Sequence, residues 1–335
     1  MTVRVGVVGA GNIGQDHIRR LSRSLSNARV VGVADVDRER AAAVAHAAGA
    51  EVFESGQDLI AAPDVAAVVV ATWGPSHEEF VLAALQHGKP VFCEKPLAPT
   101  TDACVRIVDA EIAAGRRLVQ VGFMRRFDSG YRAMKAVLER GTLGAPLMVH
   151  CAHRGPSAPP TFTSDMLITD SAIHELDLMR WLLGEETVAV TVLRPRSSSI
   201  QRDLVSPQVV LLETESGVLV DIEVFANAVY GYDIRCEVVG ELGTVSLGDA
   251  NNVVVAHAGR RSGHVPDHWI ERFRAAYDVE MQAWIDGVGE GHAVGPSAWD
   301  GYAATTVAAA CLESLQSGRR VAVHMRPRPD FYVTG

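Results

Sequence analysis

The segment VGVVGAGNIG, residues 5–14, limits what this chain can fold into more than any other stretch. Its valine-rich run reads as a buried strand, and the glycines that follow lead into a helix read as starting at Ile13. Gly9 permits a tight turn, Gly11 lets a pyrophosphate approach the backbone, and Gly14 allows the helix to pack closely, its N-terminus facing the negative charge. Three glycines at this spacing are weak alone. Here they follow a strand, open a helix and are succeeded by RVVGVAD, an apolar run ending at Asp35, the acidic position roughly 20 residues further on in dinucleotide-binding βαβ units. A carboxylate there accepts ribose hydroxyls and repels a 2′-phosphate, so NAD is the expected cofactor and NADP the less favoured alternative. Arg38 pulls the other way unless it is only a solvated residue at the start of a helix.

The alternation continues through the first third of the chain. VAAVVVAT, PVFCEK and RLVQVGF read as further strands, with helical stretches such as 37–48 and 77–86 between them, the pattern of a parallel sheet covered on both faces. After Leu147 the runs MVHCAH, VVLLET, GVLVDIEVFA, YDIRCEVVG and TVSL follow one another across short turns, as in an antiparallel or mixed sheet. Helices are expected at 267–288 and 297–317. The fold class is α/β with an α+β second part, and the division is placed at 1–123 for a dinucleotide-binding domain and 124–335 for the rest.

Composition narrows the function. A chain of 335 residues that is 48% hydrophobic can bury the cores of two domains. Its net charge of −9 repels nucleic acid and anionic lipid, and no basic run offsets it. The apolar stretches are too short or too broken to span a bilayer. MTVRVGVVGAG enters a strand with no charged leader or cleavage site, so a cytoplasmic location is expected. Five cysteines, scattered singly with no Cys-x-x-Cys pair, fit a reduced chain without a structural zinc.

Two further segments carry chemistry. CEKP stands at the end of a strand, where open α/β sheets bind ligands, so the ammonium of Lys95 can stabilise the alkoxide-like charge that develops as a hydride leaves. The bland alternative is a surface lysine before a proline turn, and Pro96 could follow a cis peptide. In TDSAIHELD, Asp170 and His174 are four apart and share one helix face, with Asp177 within reach. A near-neutral imidazole can take a hydroxyl proton while the carboxylate orients the substrate. Such a pair alone is more often structural, and its company with Lys95 and a dinucleotide fold reverses that reading. HELDL is not a zinc-protease site, because Leu178 stands where a second histidine is required. The Pro/Ser-rich loop RGPSAPPTFTS at 154–164 leads into this helix.

With these residues, the chain resembles the glucose-fructose oxidoreductase / inositol dehydrogenase (Gfo/Idh/MocA) family over essentially its whole length. Within it, the bacterial inositol 2-dehydrogenases are most similar, through ATWGPSHE, VFCEKPLA, RLVQVGFMRRFDSGY, MLITDSAIHELD, YGYDIRCEVVGE, RFRAAYDVE and GPSAWDGY in that order. The resemblance implies an N-terminal Rossmann domain, a C-terminal α+β domain with a large open, mostly antiparallel sheet, and a homotetramer formed through that sheet. It implies Lys95, Asp170 and His174 as the catalytic set. It also implies cofactor contacts from Gly9, Gly11, Asn12, Ile13, Gly14, Asp35, Thr72, Trp73, His77, Glu94 and Lys95, and a polyol pocket formed by Met124, Arg125, Gly155, Asp170, His174, Asp177 and Tyr232. Read without the family, Arg125 is equally a surface charge and Tyr232 a strand aromatic.

There is one departure: Gly155 stands where the family commonly carries an asparagine. Glycine lacks the amide donors and acceptor that could bind a ring hydroxyl. The implied activity is NAD-dependent oxidation of myo-inositol at a secondary hydroxyl to 2-keto-myo-inositol, with another inositol isomer or a pyranose sugar as the alternative. A dinucleotide-binding regulator and an NAD-assisted glycosidase are the readings from other classes.

Overall fold

The computed structural model describes residues 2–201, 203–248 and 254–333. The chain divides into two compact units, one of Met1–Met124, Tyr277–Thr305 and Arg326–Gly335, the other of Arg125–Ala276 and Thr306–Met325. In the first, the valine-rich runs become β1 (Val3–Val8), β2 (Ala28–Ala34), β3 (Glu51–Val52), β4 (Ala67–Val70), β5 (Val91–Glu94) and β6 (Val119–Gly122). All pair in parallel, in the order β3-β2-β1-β4-β5-β6. The order reverses between β1 and β4, so the crevice at their carboxyl ends is where a ligand is received in such sheets. Helices α1 (Asn12–Arg23), α2 (Arg38–Ala48), α3 (Gly56–Ala61), α4 (His77–Gln86) and α5 (Thr101–Ala113) connect the strands. Asp37, Ser55 and Thr100 cap α2, α3 and α5, each accepting a hydrogen bond from a first-turn N–H. Asp37 is thus the cap of the helix read as starting there. The two-residue β3 is too short to show any period.

The second unit contains α6 (Ser129–Glu139), β7 (Pro146–Arg154), α7 (Ile173–Leu183), β8 (Thr187–Leu193), β9 (Gln208–Thr214), β10 (Leu219–Phe225), β11 (Asp233–Gly240) and β12 (Thr244–Ser246). With the late strand β15 (Val321–Ala322) they form a sheet of order β12-β11-β7-β10-β9-β8-β15, in which β10 and β7 pair in parallel and the other pairs are antiparallel. The large, mostly antiparallel sheet is therefore present. Buried and half-buried residues alternate along β9 and β10, as expected of a sheet packed on one face. On the buried face Cys151 packs against Met179 of α7. The other face carries Asp221, Glu223 and the exposed Met148. A hairpin of β13 (Val254–His257) and β14 (Arg260–Gly263) escaped the sequence reading.

Two long helices, α8 (Trp269–Glu290) and α9 (Ala298–Ser317), complete the major elements. The sequence placed everything after 123 in one domain, whereas Tyr277–Thr305 and Arg326–Gly335 group with the first unit. The cause is packing: Met281, Trp284 and Ile285 are buried in the same core as Val5, Val7, Val30, Val33 and Phe92. Periodicity finds α8 but not where its apolar face is satisfied. Among the described residues no helix is long and apolar enough to cross a membrane.

Candidate active site

The three glycines after β1 serve three different needs. Gly9 has φ of +100°, and a Cβ there would lie 2.5 Å from the Ala71 carbonyl carbon, so the turns after β1 and β4 pass in contact. A Cβ on Gly14 would overlap the Gly9 carbonyl oxygen. At Gly11 a Cβ would meet nothing within 4 Å, leaving open space beside the backbone. Gly11 is also the N-cap of α1, with no side-chain cap and no acidic residue in the first turn. Asn12 is exposed and Ile13 half-buried. First-turn N–H groups without a side-chain cap, beside an unfilled glycine surface, fit the pyrophosphate of a dinucleotide.

Asp35 completes that cradle. Its Oδ2 accepts from the Ala10 N–H at 2.5 Å, and its Oδ1 from the Asp37 N–H at 2.8 Å and Arg40 Nη2 at 2.6 Å. Burial pushes the carboxyl up, but these bonds and the Arg40 charge outweigh it and hold its pKa below the usual range. The arginine beside Asp35 is therefore Arg40. Arg38, the sequence candidate, is exposed and pairs with Glu54 at 2.9 Å.

At the ends of β4 and β5, Trp73 is 78% exposed, an uncovered indole unusual for an aromatic of its size. Thr72 accepts from Ser76 Oγ at 2.8 Å. His77 is buried between the two loops, with Nδ1 2.7 Å from the Pro96 carbonyl and Nε2 3.0 Å from that of Thr72, and a neutral ring donates to one of the two. Burial lowers its pKa, more than the two carbonyls and Glu94 raise it. Lys95 follows β5 directly and precedes a cis peptide to Pro96. Glu94 is buried and hydrogen-bonded to His17.

In the second unit, Asp170 lies in a π-helical turn, Leu167–Ala172, and His174 in the first turn of α7. The sequence read one uninterrupted α-helix here. A π-turn widens the local pitch and is a frequent feature of functional sites. His174 is buried and Asp170 half-buried. Asp177 is held by Arg126, whose Nε lies 2.8 Å from Oδ2 while Nη2 reaches Oδ1. Arg125 is no surface charge: at 1% exposure it pairs with Glu175 and stands 3.2 Å from His153 Nδ1. Tyr232 extends the cluster, its hydroxyl 3.2 Å from His153 Nε2. Burial raises its pKa to about 12, against the lowering effect of Arg125. Gly155 keeps to the sheet, donating to the Phe225 carbonyl and accepting from the Ala228 N–H, both at 2.8 Å. A Cβ at Gly155 would meet nothing within 4 Å. Met124 is buried.

Sequence reasoning missed His17, Arg40, His153 and Glu175. Only Glu175 carried a signal, as an acidic residue next to His174 on a helix with few exposed positions.

A parallel sheet whose order reverses beside a glycine turn opening α1 is the fold of a dinucleotide-binding domain. Residues 3–123 match the NAD-binding Rossmann fold of the Gfo/Idh/MocA oxidoreductase family, and residues 135–323 match its C-terminal alpha/beta domain. The chain belongs to that family. It is 57% identical to inositol 2-dehydrogenase of Ralstonia nicotianae, over 99% of both chains. It is 54% identical to inositol 2-dehydrogenase 3 of Saccharopolyspora erythraea, over 99% of this chain and 98% of that one. Among solved structures it is similar to myo-inositol dehydrogenase from Lactobacillus casei in complex with NAD(H) and myo-inositol, with a TM-score of 0.96 and 40% identity over 99% of this chain and 100% of that one.

Proposed function

We propose that this chain is an NAD-dependent inositol 2-dehydrogenase, oxidising myo-inositol to 2-keto-myo-inositol. The observation that carries the reading is full-length identity above half to a named inositol 2-dehydrogenase, joined to a glycine cradle shaped for a dinucleotide. Bound NAD supplies the acceptor for the hydride leaving the carbinol carbon. Lys95 donates a hydrogen bond to the reacting oxygen and stabilises the negative charge growing there. His174 takes the hydroxyl proton, and Asp170 orients the substrate and favours the imidazolium that results. Asp35 would hold the ribose, and Trp73 would lie near the cofactor. Met124, Arg125, Gly155, Asp177 and Tyr232 belong to the polyol pocket, where buried ion pairs keep Arg125 and Asp177 fixed. The enzyme works in the cytoplasm as a homotetramer, using the open face of the second sheet, where Met148 is exposed.

Initial rates of NADH formation across a panel of inositols and pyranoses test this, with His174→Ala and Lys95→Ala as controls. Myo-inositol is expected to lead, and each variant to lose on the order of 10²–10⁴ in turnover while still binding NAD. Parental rates in both variants would remove the catalytic assignment. Gly155 favours a second reading, a different isomer or a pyranose, because it gives the pocket room but no side-chain partner. A pyranose leading the panel would establish that reading.

A further inference from the structure

The first unit contains a buried chain of side chains that ends on the backbone of Lys95. Arg20 donates from Nε to Asp278 and from Nη2 to Asp16, both at 2.6 Å, and its Nη1 lies 3.1 Å from His17 Nδ1. His17 is fully buried, edge-on to Phe92 and Tyr277, with its Nε2 2.7 Å from Glu94 Oε1. The other carboxyl oxygen of Glu94 accepts the Lys95 N–H at 3.2 Å.

Donor and acceptor chemistry leaves this chain one polarity. A guanidinium only donates, so His17 Nδ1 facing Arg20 must be the lone-pair nitrogen, and Nε2 carries the proton given to Glu94. Burial lowers the His17 pKa and Arg20 lowers it further, against the raising effect of Glu94, which agrees with a neutral ring. Gly122, the partner of Glu94 across β5 and β6, reserves the space for the carboxyl: a Cβ there would lie 3.1 Å from Glu94 Cδ and Oε2.

We propose that His17 is a positioning residue for the reaction: anchored by Arg20 in one tautomer, it fixes the Glu94 carboxylate, which in turn fixes the backbone from which the Lys95 side chain departs. The inference rests on Lys95 binding the reacting oxygen. A shift of about 1 Å in a group so placed costs on the order of 10²-fold in rate without a matching loss of binding.

Two substitutions separate positioning from simple packing. The amide nitrogen of His17→Gln reaches the place of Nε2 and can still donate to Glu94, whereas the shorter His17→Asn keeps only the acceptor for Arg20. Turnover of myo-inositol, the NAD dissociation constant and the melting temperature are measured for both. The Asn variant is expected to lose turnover by about tenfold or more, with NAD binding within about threefold of the parent, and the Gln variant to recover most of the loss. Gly122→Ala, which displaces the Glu94 carboxyl without touching His17, is expected to reproduce the Asn variant and decides the matter if either His17 variant fails to fold. Equal turnover in the Asn and Gln variants, or parental turnover in Gly122→Ala, overturns the proposal. Lys95→Ala run beside them distinguishes the failures: if it turns over at the parental rate, the role of Lys95 falls, and if it is slow while His17→Asn and Gly122→Ala are not, only the positioning falls.

Discussion

Arg125 and Glu175, fifty residues apart in the chain, close a buried ion pair in which both side chains are at most 2% exposed, and His153 shares both partners. Burial raises the Glu175 carboxyl, but Arg125 and His153 outweigh it and hold its pKa below the usual range. Removing one member of such a pair strands the other, whereas replacing both with apolar groups does not. Glu175→Ala is therefore expected to lower unfolding stability by about 3–5 kcal/mol in urea titrations, and Arg125→Met with Glu175→Leu to recover much of that loss. A single variant as stable as the parent would show the pair to be hydrated.

Acid should weaken the protein before its carboxylates titrate. His17 and His77 are buried, and burial lowers both below the ordinary histidine value of 6.5. Below that value the unfolded chain binds protons that the folded chain refuses, so stability is complete above it and falls with pH, by up to about 1.4 kcal/mol per pH unit for each group. Glu111 acts in the opposite direction, because burial raises its carboxyl and acidification then favours the folded form. Two histidines against one carboxyl leave a melting temperature that drops between roughly pH 7 and 5.5. A flat profile there would contradict the neutral, buried assignment.

Arg40 makes the cofactor preference conditional on Asp35. With the carboxylate in place the guanidinium is engaged at 2.6 Å, and if Asp35 holds the ribose as proposed, its removal would leave a cation for a 2′-phosphate. Asp35→Ala is expected to shift the ratio of kcat/KM for NAD over that for NADP toward NADP by about 10- to 100-fold, the worth of a charged hydrogen bond. Adding Arg40→Ala should abolish the gain with NADP. An unchanged ratio in the single variant would remove Asp35 from the cofactor site.

Gly11 and Gly14 should respond oppositely to one added methyl. Gly14→Ala collides with the Gly9 backbone and is expected to cost about 1–3 kcal/mol of stability, more if α1 cannot shift. Gly11→Ala meets nothing in the protein, so it should melt like the parent while binding NAD more weakly in calorimetric titration. Parental affinity in Gly11→Ala would place the pyrophosphate elsewhere.

The Rossmann fold was legible because glycine spacing and valine runs are local signals, and β1, the turn at Gly9 and Asp35 all lie within one βαβ unit. The sheet of the second unit was legible in β7 and β9 to β12, while β8, whose alternation breaks at the consecutive buried Ala189 and Val190, was overlooked. Long-range pairings left no local trace. Nothing near Arg125 announces Glu175, and nothing near His17 announces Glu94, 77 residues away. Arg38 and Arg40 could not be told apart because which helical side chain turns back to Asp35 depends on the cap at Asp37. The π-turn at Asp170 was hidden because a one-residue change of pitch alters no residue pattern.

The core of the first unit includes Met281, Trp284 and Ile285, although its last strand ends at Gly122. On a translating ribosome these events are far apart: at about 5–20 residues per second, roughly 160 residues and some 8–30 s separate release of β6 from release of the helix that covers Val5, Val7 and Phe92. The nascent nucleotide-binding sheet must wait through that interval with its core covered by α1 and α2 but lacking Met281, Trp284 and Ile285. A fragment ended near residue 123 would carry the whole cofactor fingerprint and still behave as a chaperone client, prone to aggregate rather than bind.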